Sequence, residues 1–390
     1  GVIGRLIGGS ITNLGVAGTS TISGYESVGG LVGKNQNSTI SGSFSNATVN
    51  GVSKAGGLVG HNYYVNSATS ITDSYATGDV TGTNNIGNML GGLVGYNQGG
   101  TLLRTYATGK ISRADGVTGG YTSVGGLVGS HSGTITQSFF NSSTGGLGTT
   151  STNGTAKTLT QLQTASTYSD WGSNIKSTGT GSATWRIYEG NTSPLLTSYL
   201  TALSGTINGT KITKTYDGNN QVNGSITWGT TPNNDLLLGD TSITLSSANV
   251  GIYADGTLRS LYSSQLGYDL NVGGTVPEVE ITPRAITISA DEVSKIYGNS
   301  EATLGVTVST TEGLGLASTD NLSDVTGTLI RESGEDVGSY DVLLGTGSKA
   351  SNYTITFNED NNSYSITPRA ITISADAVSK IYGNSEETLG

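Results

Sequence analysis

The pentapeptide GGLVG at residues 29–33 returns at 56–60, 91–95 and 125–129, in copies 27, 35 and 34 residues apart. Each copy carries the same sequel. An aliphatic residue follows (Ile40, Ile71, Leu102, Ile135), and an aromatic stands four residues later (Phe44, Tyr75, Tyr106, Phe139). In the first three copies a second aliphatic comes five residues after that (Val49, Val80, Ile111), with Gly, Asn, Ser and Asp between. Short runs rich in Thr, Val, Ile and aromatics, separated by turn residues, read as strands. Three such strands per unit cannot bury a core alone, but units stacked as the coils of a parallel β-solenoid can. Stacking predicts three ladders, Leu31/Leu58/Leu93/Leu127, Ile40/Ile71/Leu102/Ile135 and Phe44/Tyr75/Tyr106/Phe139, at the ~4.8 Å spacing of adjacent strands. A degenerate coil is expected ahead of the first copy, because LIGG at 6–9 and SITNLGVAG at 10–18 imitate one.

The glycines then belong at the corners of the coils, where positive φ or close backbone approach favours them. A phosphate-cradling role would need a strand and a helix on either side of the glycines, and no helical period follows any copy. His61 and His131 stand just after GGLVG copies, where sister repeats carry Lys34, Tyr96 or Ser130. A slot so tolerant reads as a solvent-facing turn. From residue 141 the pattern fades into Ser, Thr and Gly, and then into a segment with Trp171 and Trp185. An open last coil exposes unpaired strand groups, so residues 149–200 read as a cap or linker. A tryptophan-lined carbohydrate platform is the competing reading of Trp171 and Trp185.

Composition excludes whole classes of function. Of 390 residues 61 are glycine, only 12% are charged, and the net charge is −10 with no basic cluster, which argues against nucleic acid as a partner. There is no cysteine and no His grouping for zinc. Apolar runs are too short for a transmembrane segment.

After residue 201 the period changes. Lys214-Thr-Tyr216-Asp-Gly218-Asn219, Lys295-Ile-Tyr297-Gly298-Asn299 and Lys380-Ile-Tyr382-Gly383-Asn384 share one template, with lysines 81 and 85 residues apart. Residues 366–390 repeat 281–305 at 23 of 25 positions, and the expectation is a piece of a longer repetitive protein. Alternating runs at 285–288, 304–308, 327–330, 340–344 and 353–357 predict five or six strands per module. Each module joins the next through Ile-Thr-Pro-Arg, as at 281–284, leaving almost no free linker and favouring a stiff, extended rod. The fold class expected is therefore all-β: a parallel β-solenoid followed by tandem small, mainly-β modules, Ig-like or β-grasp-like. The boundaries are a solenoid at 1–148, a cap or linker at 149–200, modules at 201–282 and 283–367, and the start of another at 368–390.

Tandem GGLVG units followed by S-[FY]-x-x-[AG] resemble the GLUG motif of very large secreted bacterial proteins, chiefly filamentous-haemagglutinin-like exoproteins and adhesins. The second half resembles a YDG domain (Tyr216-Asp217-Gly218) followed by MBG domains (the Ile-Tyr-Gly triplets), tandem modules of bacterial surface exoproteins. The resemblance implies a segment of a secreted fibrous adhesin or stalk on the outer surface of a Gram-negative bacterium, exported unfolded by two-partner secretion. A chain without cysteine suits that route, having no thiols to cross-link in an oxidising compartment. The implied partner is a receptor or glycan on a host or neighbouring cell, and a self-assembling filament is the alternative.

Other chemistries find little support. A β-helical carbohydrate-active enzyme needs carboxylates clustered on one face, whereas the coils hold only Glu26, Asp73, Asp79 and Asp115, which read as solvated turn acids. Ice or crystalline glycan would call for regular T-x-T ladders. Asp217, Asp291 and Glu292 lack the D-x-[DN]-x-[DN]-G spacing of a calcium loop. No cofactor is expected, and a structural calcium is the alternative. Sequons such as Asn37-Ser-Thr, Asn46-Ala-Thr, Asn352-Tyr-Thr and Asn361-Asn-Ser are what this composition gives by chance, so heavy glycosylation is not expected.

Overall fold

The computed structural model describes the chain apart from residues 84–87, 115, 117–122, 145, 149–152, 359–362 and 386–390 and the side chain of Glu312. Asp115, Asn361 and the last five residues of the repeated segment 366–390 lie outside the described residues. Two compact units divide the chain. The first is Gly1–Asn208 with Gly224–Ser242 and Leu258–Thr275; the second is Gly209–Asn223 with Ile243–Thr257 and Val276–Gly390.

The first unit opens with a parallel β-solenoid. Strands Ile3–Ile7, Val32–Gln36, Val59–Tyr63, Val94–Gln98 and Val128–His131 lie side by side in chain order in one sheet. Each pairs in parallel with its counterpart one coil on. The residues ahead of the first GGLVG form a complete coil in register, with Ile3 opposite Val32 and Ile11 opposite Ile40. Each complete coil holds five short strands rather than three, so five parallel sheets run along the stack. The two strands missing from the sequence reading flank GGLVG itself: Lys54–Gly56 leads into the pentapeptide of its coil and Val59–Tyr63 leads out of it.

The core is divided in two. One cluster holds the leucine and isoleucine ladders, and the other holds Val28, Val49, Ala55, Val80, Leu90 and Ile111. The pentapeptide makes the waist between them. A Cβ on its second glycine would strike Ser45 from Gly30, Ala76 from Gly57 and Ala107 from Gly92, and would also strike the neighbouring coil's backbone. Close approach, not positive φ, therefore requires glycine there. A left-handed corner recurs at one equivalent position of successive coils, at Asn13, Gly42, Asp73, Arg104 and Gln137 (φ 46 to 55°), and four of these five are not glycine.

Residues 158–200 lie along a flank of the solenoid. Thr158 caps a short helix, Leu159–Leu162, through a capping box with Gln161. Strand Thr155–Lys157 adds to the sheet edge at Phe139–Asn141, and from there the chain runs back beside the aromatic ladder. The first unit also holds a sheet in which Thr201–Ile207 pairs in parallel with Tyr268–Gly273 and antiparallel with Ile226–Trp228.

In the second unit the same pairing logic appears twice. Ile212–Thr215 runs parallel to Val279–Thr282, which is antiparallel to Gly251–Tyr253. Val293–Ile296 runs parallel to Tyr364–Thr367, which is antiparallel to Gly338–Tyr340. The registers agree, with Lys214 opposite Ile281 and Lys295 opposite Ile366. Among the described residues, 284–367 hold eight strands, because Val293–Ile296 and Tyr364–Thr367 are strands as well and the run at 340–344 divides between Gly338–Tyr340 and Val342–Leu343. Only Pro283 separates Val279–Thr282 from Arg284–Ala290.

Candidate functional site

The recurring residues converge on two places, the interior of the coils and the flank. Leu31, Leu58, Leu93 and Leu127 are fully buried, and each N–H of the first three donates to the carbonyl of the next, at 2.8–2.9 Å. Ile40, Ile71, Leu102 and Ile135 stand opposite one another beside them, the first three fully buried and Ile135 half-buried in the last coil.

Phe44, Tyr75, Tyr106 and Phe139 are also in register, but they face out of the coil. Phe44 and Tyr75 stack at 5.2 Å and 8°, and Tyr75 and Tyr106 at 4.9 Å and 1°. Their cover is the 158–200 segment. Tyr199 meets Phe44 edge-on, Trp185 leans on both Tyr75 and Tyr106, and Tyr168 and Trp171 close over Phe139. The polar tips are all satisfied: Tyr106 donates to the Pro194 carbonyl, Trp171 to the Gln137 carbonyl and Trp185 to Asp73. Burial pushes the Tyr75 and Tyr106 hydroxyls well up. Trp171 and Trp185 are 1% and 0% exposed, so no tryptophan platform faces solvent.

Charged residues of the coils take structural roles. Asp73 and Arg104 occupy successive left-handed corners, which places one side chain directly over the other. Arg104 binds Asp73 through Nε and Nη2, both at 2.7 Å, and this hydrogen bonding holds its pKa up. Asp73 is thus a paired, partly buried acid and not a solvated one. Asp79 accepts from the Lys110 N–H instead, so the two acids serve different partners.

Two polar ladders escaped the sequence reading. Asn35, Asn62 and Asn97 are fully buried, and amide donates to amide along the stack at 2.8 and 2.7 Å before Asn97 closes on the Gly100 carbonyl. The signal was present as GGLVG-x-Asn in three copies. Ser43, Ser74, Thr105 and Ser138 follow the left-handed corners, and hydroxyls of Ser43, Ser74 and Ser138 donate two residues back. His61 is a correction. It lies in strand Val59–Tyr63, is 7% exposed, stacks on Tyr96 at 5.0 Å and bonds Gln98. Burial lowers its pKa to about 4 against the opposing pull of Gln98. His131 is exposed, but it too lies in a strand.

Among the described residues of the second unit one carboxylate, Asp320, is buried. Asp320 Oδ2 accepts from Tyr216 at 2.9 Å and Tyr353 at 2.7 Å, and Oδ1 accepts from Lys349. Burial pushes its pKa up, yet the bonds from Lys349, Tyr353 and Tyr216 outweigh this and hold it below the usual range. Asp217 pairs with Lys214, and Asp291 accepts from Thr307. Among the described residues no three of His, Asp or Glu converge to hold a metal ion. Among them, no helix is long and apolar enough to cross a membrane. Of the sequons, Asn352 is 2% exposed and bonded to Asn249.

A family model described as the GLUG motif matches residues 24–50 and 51–81, and one described as the MBG domain (YGX type) matches 286–362. Both are repeat modules and not enzyme families. The GLUG matches cover two turns, and the same register continues through the coils that begin at Val94 and Val128. No curated protein and no solved structure matches the chain.

Proposed function

We propose that this chain is a segment of a large secreted exoprotein of the filamentous-haemagglutinin-like type, serving as an adhesin or stalk at the surface of a Gram-negative bacterium. Its coils and modules carry a binding region outward, and two-partner secretion is the export route. Residues 201–282 are the YDG-type member of the module series. One observation carries this reading: the recurring residues of both repeats point at the next repeat. Leucine, isoleucine, asparagine and aromatic ladders bind coil to coil, and Tyr216 of one module binds Asp320 of the next. The repeats therefore make length and stiffness, and the coil acids Asp73 and Asp79, which a β-helical enzyme would need side by side, are taken up by separate partners, Arg104 and the Lys110 N–H.

The test is immunoelectron microscopy of native cells with an antibody raised to this segment. Labelling concentrated at cell–cell or cell–host contacts is the expected result. Labelling along regular free filaments would favour a self-assembling structural fibre, and exclusively intracellular labelling would refute both.

A further inference from the structure

We infer that Tyr297 is the open half of a module-to-module latch, and that its occupant is the Thr319-Asp320 corner of a further copy of the module at 283–367, joined in cis. The closed form of this latch is already present in the second unit. Tyr216 is 2% exposed, its hydroxyl donates to the buried Asp320, and its ring meets Tyr353 edge-on at 5.5 Å. Gly218, at φ 81°, lets the loop lie so close to Thr319 that a Cβ there would overlap the threonine hydroxyl. Arg284, just past the junction proline, reaches back to the Tyr216 carbonyl at 3.4 Å.

Tyr297 repeats this geometry with the partner side open. The Tyr216 N–H donates to the Thr282 carbonyl at 2.9 Å, and the Tyr297 N–H to the Thr367 carbonyl at 2.8 Å. Gly298 has φ 80°. Arg369, the counterpart of Arg284, already donates to the Tyr297 carbonyl at 3.2 Å and to Asn299. Yet Tyr297 is 47% exposed. The arginine half of the junction is made and the tyrosine half is not.

The occupant must present a carboxylate and an aromatic edge at the reach that Asp320 and Tyr353 have from Tyr216. A second molecule of this chain does not meet that need, because its Asp320 is held by its own Tyr216, Tyr353 and Lys349. A further copy of the module, entered through Pro368 as the present one is through Pro283, does. The inference concerns how modules join, and it holds or fails independently of any adhesive role.

The test is tyrosine nitration read residue by residue by mass spectrometry. In the full chain Tyr297 reacts readily and Tyr216 does not. In the full chain extended after residue 390 by a second copy of residues 306–367, Tyr297 reactivity falls at least tenfold. Asp→Asn at the added counterpart of Asp320 restores it. Unchanged Tyr297 reactivity, with the amides of Ile371 and Ile373 newly protected from exchange, overturns the inference. A second variant needs no added copy: Thr215→Ile with deletion of Asp217 writes the Lys-Ile-Tyr-Gly-Asn motif into the closed junction. Tyr216 stays unreactive there if the motifs are the same half-latch, and Asp320→Asn in that background exposes it. A reactive Tyr216 in the exchanged loop overturns the equivalence.

Discussion

Residues 281–299 and 366–384 carry one sequence, differing only at Glu292 against Ala377, and they adopt two structures. In the first copy Arg284–Ala290 is the central strand of a sheet, with Ile286 and Ile288 1% and 0% exposed. In the second, Ile371 and Ile373 are 76% and 85% exposed, and residues 369–380 form no strand. Nothing local separates them. The first copy has Tyr353–Asn358 in parallel on one side and Val306–Gly313 antiparallel on the other. The β propensity of Ile-Thr-Ile is the same in both, so pairing and burial decide the outcome. The solenoid obeys the same rule at shorter range, since every strand finds its partner one coil away.

One charge placed at the same position of both copies should have the most unequal effect. Ile288→Asp should cost about 4 kcal/mol or more, because an uncompensated carboxylate enters a sheet core, whereas Ile373→Asp should stay within about 0.5 kcal/mol. Denaturant midpoints of the second unit, followed by hydrogen exchange, measure the difference, and equal costs would refute the pairing argument. In the solenoid, Ile71→Ala should cost about 2–5 kcal/mol. Its loss of amide protection should spread to Thr39–Ser41 and Thr101–Leu103, the strands on either side; a loss confined to one coil would contradict nearest-neighbour stacking. Asp73→Ala strands both Arg104 and the Trp185 N–H, and about 1–2 kcal/mol should follow. Indole fluorescence would report a loosened flank, and an unchanged spectrum and midpoint would show that aromatic packing suffices there. The smallest effect is pH-linked. His61 has a folded pKa of about 4, below its ordinary 6.5, so the unfolded chain binds the extra proton between these values. Its contribution is complete above pH 6.5 and is lost as pH falls toward 4, by about 1 kcal/mol once solvent at the ring edge is allowed for. His61→Gln should flatten that slope, and an identical slope would place the titration elsewhere.

Coil register was legible because GGLVG marks the same point on every turn, and apolar spacing from it fixes Leu31, Ile40 and Phe44 with their counterparts. Strand number was not, because two-residue strands such as Phe44–Ser45 and Tyr75–Ala76 leave no alternation to read. The left-handed corners were hidden by chemistry: Asn, Gly, Asp, Arg and Gln share one backbone conformation, and only the Ser or Thr that usually follows betrays it. His61 was misread because Lys34, Tyr96 and Ser130 made its slot look wet. Tyr96, one coil on, and Tyr63, two residues along, bury it. The buried Asp320 was invisible for a different reason, since its partners Tyr216 and Tyr353 lie 104 and 33 residues away.

The asparagine ladder has one further consequence. Asn62, the interior rung, gives a hydrogen to the next coil and takes one from the coil before, so a further asparagine coil inserted beside it would meet the same two partners. At the N-terminal end Leu6 occupies the rung beside Asn35, whose Oδ1 is left without a donor among the described residues, and at the other end His131 stands opposite Asn97. A duplicated coil of the GGLVG-x-Asn type would leave the ends of the amide ladder and the bonds between its rungs chemically unchanged. A gene that gains such units by unequal recombination can therefore lengthen its product without a new kind of contact in the asparagine ladder.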